Sequence, residues 1–194
     1  NNVDYQISVV RYFGDGLEEA DYSGQPSRNI EIDGWGLVMW AARQYLDASG
    51  DLAWLASNTA KGTSVYAELK NGVAEPLAAN LEASGLPVAD TSIWEVHWAN
   101  RQHFLDTTAA AARGFCDMAT IARRAGHDDD INKYKMLSEK AVAAIKGGFI
   151  DSNQVLAGSL EELASGQNYH DGASAEPFDW NLIDPSDPIA KATL

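Results

Sequence analysis

One glutamate in the sequence has the neighbours that a catalytic acid needs. Glu95 directly follows Trp94 and lies three residues before Trp98, in the stretch DTSIWEVHW. A carboxylic acid stays protonated near neutral pH only when its pKa is raised, and apolar surroundings raise it because they disfavour the charged form. Flat indole faces also stack on the apolar faces of sugar rings. The motif is therefore compatible with acid catalysis on a carbohydrate.

A purely structural interpretation accounts for the same residues. Trp94 and Trp98 are four positions apart and could form one buried face of a helix, with Glu95 pointing into solvent. A single carboxylate is also not an active site. The spacing by itself favours this structural alternative.

No metal site and no cofactor are predicted. The spacing of six between His97 and His103 does not suit a metal pair on one helix face, and Cys116 is the only cysteine. We interpret His97 as a candidate sugar contact and His103 as a hydrogen-bonding residue at a helix start. The acidic stretches at 14–19 and 127–130 lack the regular alternation of an EF-hand.

Four segments show apolar residues at helical spacing, and they predict an all-α protein. They lie at 35–48, 66–81, 104–125 and 131–145, each followed by glycine. Pro76 removes a backbone hydrogen bond inside the second segment, so we expect one kinked helix or two short ones. Strand-like alternation is confined to the first dozen residues. In the first segment the periodic apolar residues are Leu37, Trp40, Ala41, Tyr45 and Ala48.

Two aspartates are predicted to cap helices. Asp130 is the expected N-cap of the fourth helix. Asp187 precedes Pro188, a residue suited to the first helical position, so a further helix is expected to begin at Pro188. Because that helix would reach the last residue of the sequence, we expect the chain to be part of a larger helical domain.

Charge limits the partners that the protein can bind. The 194 residues contain 14 Lys and Arg against 28 Asp and Glu, which gives a formal net charge of −14. Such a surface repels nucleic acid and anionic membranes, so neither is an expected partner. No apolar run is long enough to span a membrane.

Two segments resemble the glucoamylase-type enzymes of glycoside hydrolase family 15. The first is NIEIDGWGLVMWAARQYLDASGD, and the second is SIWEVHWANRQHFLDTTAAAARGFCDMATIARRAG. The family pattern has an Asp that opens a barrel helix ending in Gly-Asp, and later a Trp-Glu pair followed by a long helix. The order and separation of the two segments fit this pattern, and together they cover roughly residues 28–126. Departures from it include His97, where bacterial members usually carry arginine.

The resemblance implies an (α/α)6 barrel that hydrolyses α-linked glucose oligosaccharides or polysaccharides with inversion. Glu95 would be the general acid, and Trp94 would line the sugar site. Asp33 is expected at the same mouth, where it binds sugar hydroxyls or holds the loop, and Trp35, His97 and Trp98 are further candidate sugar contacts. The general base lies late in the family barrel, and no residue here is assigned to it.

These observations lead to two alternative functions for one helical domain, residues 1–194, with residues 1–30 as a loop or extended segment. The first is an exo-acting glycoside hydrolase, whose isolated chain is expected to hydrolyse α-glucans poorly or not at all. The second is a non-catalytic carbohydrate-binding or regulatory domain on the same fold. Partners would be an α-glucan and the remaining segments of the barrel, and a secreted or periplasmic location is favoured.

Overall fold

The structure is a computed structural model, and it confirms the all-α class. It describes residues 29–167 and 172–194, together with the short antiparallel strands β1 (Arg11–Tyr12) and β2 (Glu18–Glu19). The extended segment predicted for residues 1–30 lies mostly outside the described residues.

Eight α-helical segments are present in the described part of the chain. In order they are α1 (Asp33–Ser49), α2 (Val65–Glu68), α3 (Glu75–Ala79), α4 (Leu105–Ala125), α5 (Asp128–Gly148), α6 (Leu160–Ser165), α7 (Glu176–Asp179) and α8 (Pro188–Thr193). Short 3₁₀ turns lie at Leu52–Ala56, Trp98–Asn100 and Gly172–Ala175. The predicted helix at Pro188 is confirmed, and the Asp187 side chain accepts the N–H of Ile189 at 3.0 Å.

Glycines end the two helices that hold the site, as the sequence predicts. Gly50 and Gly126 both adopt left-handed backbone conformations directly after α1 and α4, with φ of 67° and 77°. Glycine reaches this region without a Cβ clash, so it closes the helix and satisfies its last carbonyl groups.

The apolar stripe expected for α1 is wrong by one position. The buried residues are Gly36, Met39, Ala42 and Leu46, whereas Tyr45 is 43% exposed. The helix has apolar residues on two faces, and its close contact with α4 selects the face that carries the small residues.

The segment that contains Pro76 forms one irregular helix, as the kink prediction allowed. A π-helical turn, Leu69–Ala74, joins α2 to α3, and the Glu75 N–H donates to the Lys70 carbonyl five residues earlier. Pro76 then occupies the first turn of α3, where its missing N–H matters least. The helix ends at Ala79, with Asn80 as its C-cap, before the glycine that was expected to end it, Gly85.

The N-cap predicted for α5 is wrong. Asp130 lies inside the first turn of the helix, and His127 occupies the cap position without a side-chain cap. The Asp130 carboxylate instead accepts the Tyr66 hydroxyl at 2.7 Å and the Lys70 ammonium at 2.7 Å. These bonds tie α5 to the irregular helix 65–79.

Contacts along the helices define two layers. Gly36 of α1 touches Ala110 of α4, and further along the same pair Arg43 lies 3.7 Å from Asp117. Because both residue numbers increase together, α1 and α4 run parallel. The irregular helix and α5 also run parallel, since Tyr66 meets Asp130 and Glu75 meets Tyr134.

A glycine contact sets the distance between α1 and α4. A Cβ on Gly36 would lie 2.2 Å from the Ala110 carbonyl oxygen, and a Cβ on Gly114 would lie 2.6 Å from the Gly36 Cα. The two backbones therefore meet directly. This close parallel packing brings the N-terminal ends of α1 and α4 together at one end of the molecule.

Candidate functional site

The loop between α3 and α4 carries four of the predicted site residues, and its residues 90–92 are deeply buried. Asp90, Thr91 and Ser92 are at most 1% exposed. Ser92 donates its hydroxyl to Asp106 of α4 at 3.0 Å. Residues 90–92 are therefore part of the core, although Ile93 and Trp94, which follow them, are exposed.

Asp90 ties both helix ends to the loop. Its carboxylate accepts the Ile32 N–H at 2.8 Å and the Thr107 hydroxyl at 3.0 and 3.1 Å. Its backbone N–H and carbonyl both pair with Gln102 at 3.0 Å. One buried side chain thus joins the segment before α1, the first turn of α4 and the two ends of the loop.

Thr91 adds a second link to the segment before α1. Its N–H donates to the Ile30 carbonyl at 3.0 Å, and its hydroxyl accepts the Ile30 N–H at 2.9 Å. Buried polar groups that are paired in this way fix a single arrangement of the two segments.

The loop tip has an unusual backbone. Ser92, Glu95 and His97 all have positive φ, at 47°, 47° and 65°. Residues other than glycine reach this region at a cost, and such strain persists only where the surrounding structure enforces it. Since residues 92–95 form a turn, no helix joins them to Trp98, and Trp94 is 39% exposed, the structural alternative that placed Trp94 and Trp98 on one buried helix face is wrong.

The apolar surroundings expected around Glu95 are not provided by its neighbours in the sequence. Ile93 and Trp94 are 43% and 39% exposed, and Glu95 is half-buried. Trp94 is therefore a partly exposed aromatic residue next to Glu95 in the chain, and stacking on a sugar ring requires such an exposed indole.

Asn29 contacts the Glu95 carboxylate from the other segment. Its Nδ2 lies 3.5 Å from Glu95 Oε2, and its Oδ1 accepts the His97 N–H at 3.0 Å. The loop tip is thus held at two points by one amide side chain.

Asp33 has the most strongly perturbed environment of the predicted site residues. It opens α1, is 3% exposed, and its Oδ1 has no hydrogen-bond partner in the described part of the chain. Burial, reinforced by the negative charges of Asp106 and Asp90, raises the pKa of Asp33 to about 7. A carboxyl group with a free buried oxygen and a pKa near neutrality can accept or donate a hydrogen bond to a ligand.

Burial also raises the pKa of Asp90 to about 7, although hydrogen bonds from Ile32 and Thr107 act in the opposite direction. Asp33 and Asp90 are therefore two carboxyl groups beneath the loop whose pKa values burial raises to about 7. Asp90 was not among the sequence candidates. Its signal lay in the stretch DTS before the motif, but its partner Thr107 is distant in sequence and could not be identified from spacing.

The remaining candidates lie around the same segments. Trp98 begins a 3₁₀ turn and stacks under the Arg101 guanidinium, 4.6 Å from the ring centre. His97 is exposed at the loop tip, and Trp35 is half-buried against the core in the first turn of α1. The structure thus brings the two predicted segments together through the contacts of Asn29, Ile30 and Ile32.

His103 forms a clamp behind the loop. Its Nδ1 lies 2.7 Å from Glu161 of α6, and its Nε2 lies 3.3 Å from Glu82 after α3. Burial lowers the pKa of His103, but the two carboxylates outweigh it and the net direction is a raised pKa. The interpretation of His103 as a hydrogen-bonding residue at a helix start is confirmed, with Glu161 accepting its backbone N–H at 2.9 Å.

Two other features are absent from the described residues, a metal-binding cluster and a membrane-spanning helix. No group of three or more His, Cys, Asp or Glu within residues 29–167 and 172–194 is arranged to hold a metal ion. Among the helices that the structure describes, none is long and apolar enough to cross a membrane.

Comparisons of the chain with protein-family models, with curated proteins and with solved structures found no match. The resemblance to glycoside hydrolase family 15 therefore remains a prediction, and it rests on the residues of the two segments described above.

Proposed function

We propose that this chain forms part of an inverting, exo-acting glycoside hydrolase for α-linked glucose chains, with Glu95 as general acid. The observation that carries the proposal is the loop tip, where a half-buried glutamate follows a partly exposed tryptophan on a loop that is held by a buried network. A structural loop has no need of this combination. The substrate class comes from the resemblance alone.

The two-layer arrangement supports the barrel that the resemblance implies. Neighbouring helices within each layer run parallel, as successive helical hairpins do in an (α/α)6 barrel, and the site lies where the N-terminal ends of α1 and α4 meet. Loops at one end of a helical scaffold are a common place for function.

The proposed chemistry gives each side chain a separate role. Glu95 transfers its proton to the glycosidic oxygen as the bond from that oxygen to the anomeric carbon breaks. A water molecule attacks the anomeric carbon from the opposite face and loses its proton to a general base. Trp94 stacks on the sugar ring, and Asp33 bonds a sugar hydroxyl. No residue of this chain is assigned as the base.

Azide allows the acid role to be tested without a base, because this anion attacks the anomeric carbon with no proton to remove. We expect the chain to convert maltotriose and azide into a β-glucosyl azide, detected by NMR. Glu95→Gln should lower that rate by about 100-fold or more, in line with the usual contribution of general acid catalysis.

Glu139→Gln is the matched control, because Glu139 is an exposed glutamate on α5, and it should leave the rate unchanged. Binding of maltotriose by the wild-type chain and by Glu95→Gln, with no azide product from either, would instead support the non-catalytic carbohydrate-binding domain. If maltotriose does not bind at all, both functions are wrong.

A further inference from the structure

The amide of Asn29 has a fixed orientation. Its side chain lies between the loop tip and the segment before α1, and the His97 N–H donates to its Oδ1 at 3.0 Å. A backbone N–H can only donate, so the amide oxygen must face His97. The Asn29 NH₂ group must then face the opposite side, where Glu95 Oε2 lies at 3.5 Å.

This orientation distinguishes the two oxygens of the Glu95 carboxyl group. An NH₂ group can only donate, so Oε2 must act as an acceptor when Glu95 is protonated and when it is ionised. The carbonyl oxygen of a protonated carboxyl group is a better acceptor than its hydroxyl oxygen, so this contact favours the form of Glu95 with its proton on Oε1. Asn29 thus biases which oxygen holds the proton.

The same side chain holds the strained part of the loop. Glu95 and His97 both have positive φ, and the N–H of His97 donates to the Asn29 side chain. On the other side of the tip, Ser92 is held by Asp106. The tip is thus held from both ends, and Glu95 has a defined position relative to Trp94.

We propose that Asn29 is a positioning residue for Glu95, which holds Oε2 of the carboxyl group and so favours protonation on Oε1. The inference rests on the proposed acid role of Glu95 and deepens it. Asn29 itself does not touch the reacting atoms. Its effect is expected only in reactions that need the proton of Glu95.

One substitution separates the two contacts of Asn29. Asn29→Asp keeps an oxygen that accepts the His97 N–H, but it replaces the NH₂ donor with a second oxygen that faces Glu95. The loop anchor is retained while the orientation of the carboxyl group is lost. Asn153→Asp is the matched control, because Asn153 is an exposed residue whose NH₂ group lies 3.5 Å from the Asp151 carboxylate.

Two substrates show whether a loss of rate involves the acid role of Glu95. Maltotriose has a poor leaving group and needs a proton, whereas α-glucosyl fluoride releases fluoride and does not. With azide as nucleophile, Asn29→Asp should lower the rate on maltotriose by roughly 10- to 100-fold. The rate on α-glucosyl fluoride should change by less than about threefold, as it should for the control on both substrates. Equal losses on both substrates would overturn the positioning role.

A measurement that needs no turnover keeps this test apart from the proposed function. In NMR spectra recorded across the pH range, the Asn29 side-chain amide signals of the wild-type chain should move as Glu95 ionises. They should lose that movement in Glu95→Gln, while the Asn153 signals are the same in both. If the Asn29 signals are unaffected by Glu95→Gln, the contact is absent and the inference is wrong. A wild-type chain that converts neither substrate counts against the proposed function, and the amide signals then decide the role of Asn29.

Discussion

Replacing Asp33 with asparagine should make the protein more stable at alkaline pH. Asp33 is 3% exposed, and its carboxylate has Asp106, Asp90 and Glu31 as its charged neighbours. Ionisation places a further negative charge in this buried group of acids. Asparagine has nearly the same shape and no charge, so the substitution removes the cost and keeps the volume.

The size of the effect follows from the pKa of Asp33, which burial raises from an ordinary value of 3.8 to about 7. A change of one in a pKa corresponds to about 1.4 kcal/mol, so ionised Asp33 costs roughly 4 kcal/mol of unfolding free energy. The folded state binds the proton more tightly, so the wild-type protein loses this stability as the pH rises from about 4 through 7. The gain from Asp33→Asn should therefore be near zero below pH 4 and about 4 kcal/mol at pH 8.

Urea unfolding at pH 4, 6 and 8, followed by circular dichroism, measures this difference directly. The dependence of the unfolding free energy on urea concentration should be the same in both proteins, so that the midpoints report stability. Asp129→Asn is the control, because Asp129 is an exposed carboxylate on α5. A difference between wild type and Asp33→Asn that is constant with pH, or that grows towards acid, would refute a buried carboxyl with a raised pKa.

Three further predictions concern the scaffold. Gly36→Ala should destabilise the protein by about 1–3 kcal/mol in urea unfolding, because its Cβ would meet the α4 backbone at 2.2 Å, whereas Gly34→Ala, with no atom within 4 Å, should be neutral or stabilising. The wild type should lose stability as the pH rises through the raised pKa of His103, and His103→Gln should remove this part of the stability. Thermal unfolding between pH 5 and 9 would then show a flatter dependence of the melting temperature on pH. An unchanged dependence would count against the pairing with Glu161. Asp130→Ala should cost about 3 kcal/mol or more in urea unfolding, because it leaves a lysine and a tyrosine of the irregular helix without their acceptor, and a loss below about 1 kcal/mol would contradict that role.

The helices were largely predictable because their signals are local. Gly50 and Gly126 mark the ends of α1 and α4, and Pro76 marks the irregularity in the second helical segment. The buried face of α1 was not predictable, since Tyr45 and Leu46 both fit a helical pattern of large hydrophobic side chains. Contact with α4 decides which of them is covered, and that contact depends on a glycine in each helix.

The site was predictable only in part, for the same reason. Trp94 and Glu95 were recognisable from their types and spacing. The residues that hold them were not, because Asn29 and Asp90 act across sequence separations of 66 and 58 residues. Nor could the sequence show which carboxyl group is desolvated, since burial at Asp33 arises from three segments that come together only in the fold.

The cost of this site is itself evidence that it is functional. Three residues other than glycine have positive φ within the stretch from Ser92 to His97, and each such residue costs of order 1–3 kcal/mol. The buried carboxyls of Asp33 and Asp90 add the cost of ionisation near neutral pH. A loop that only joins two helices could avoid both with glycine and neutral side chains. Strain and buried charge that coincide near a partly exposed tryptophan support the proposed sugar site, in which stability would be exchanged for function. If Asp33→Asn raises the stability at pH 8 and also weakens binding of maltotriose, this exchange is demonstrated at one residue. A stabilised variant with unchanged binding would show that the buried acid has no part in recognising the sugar.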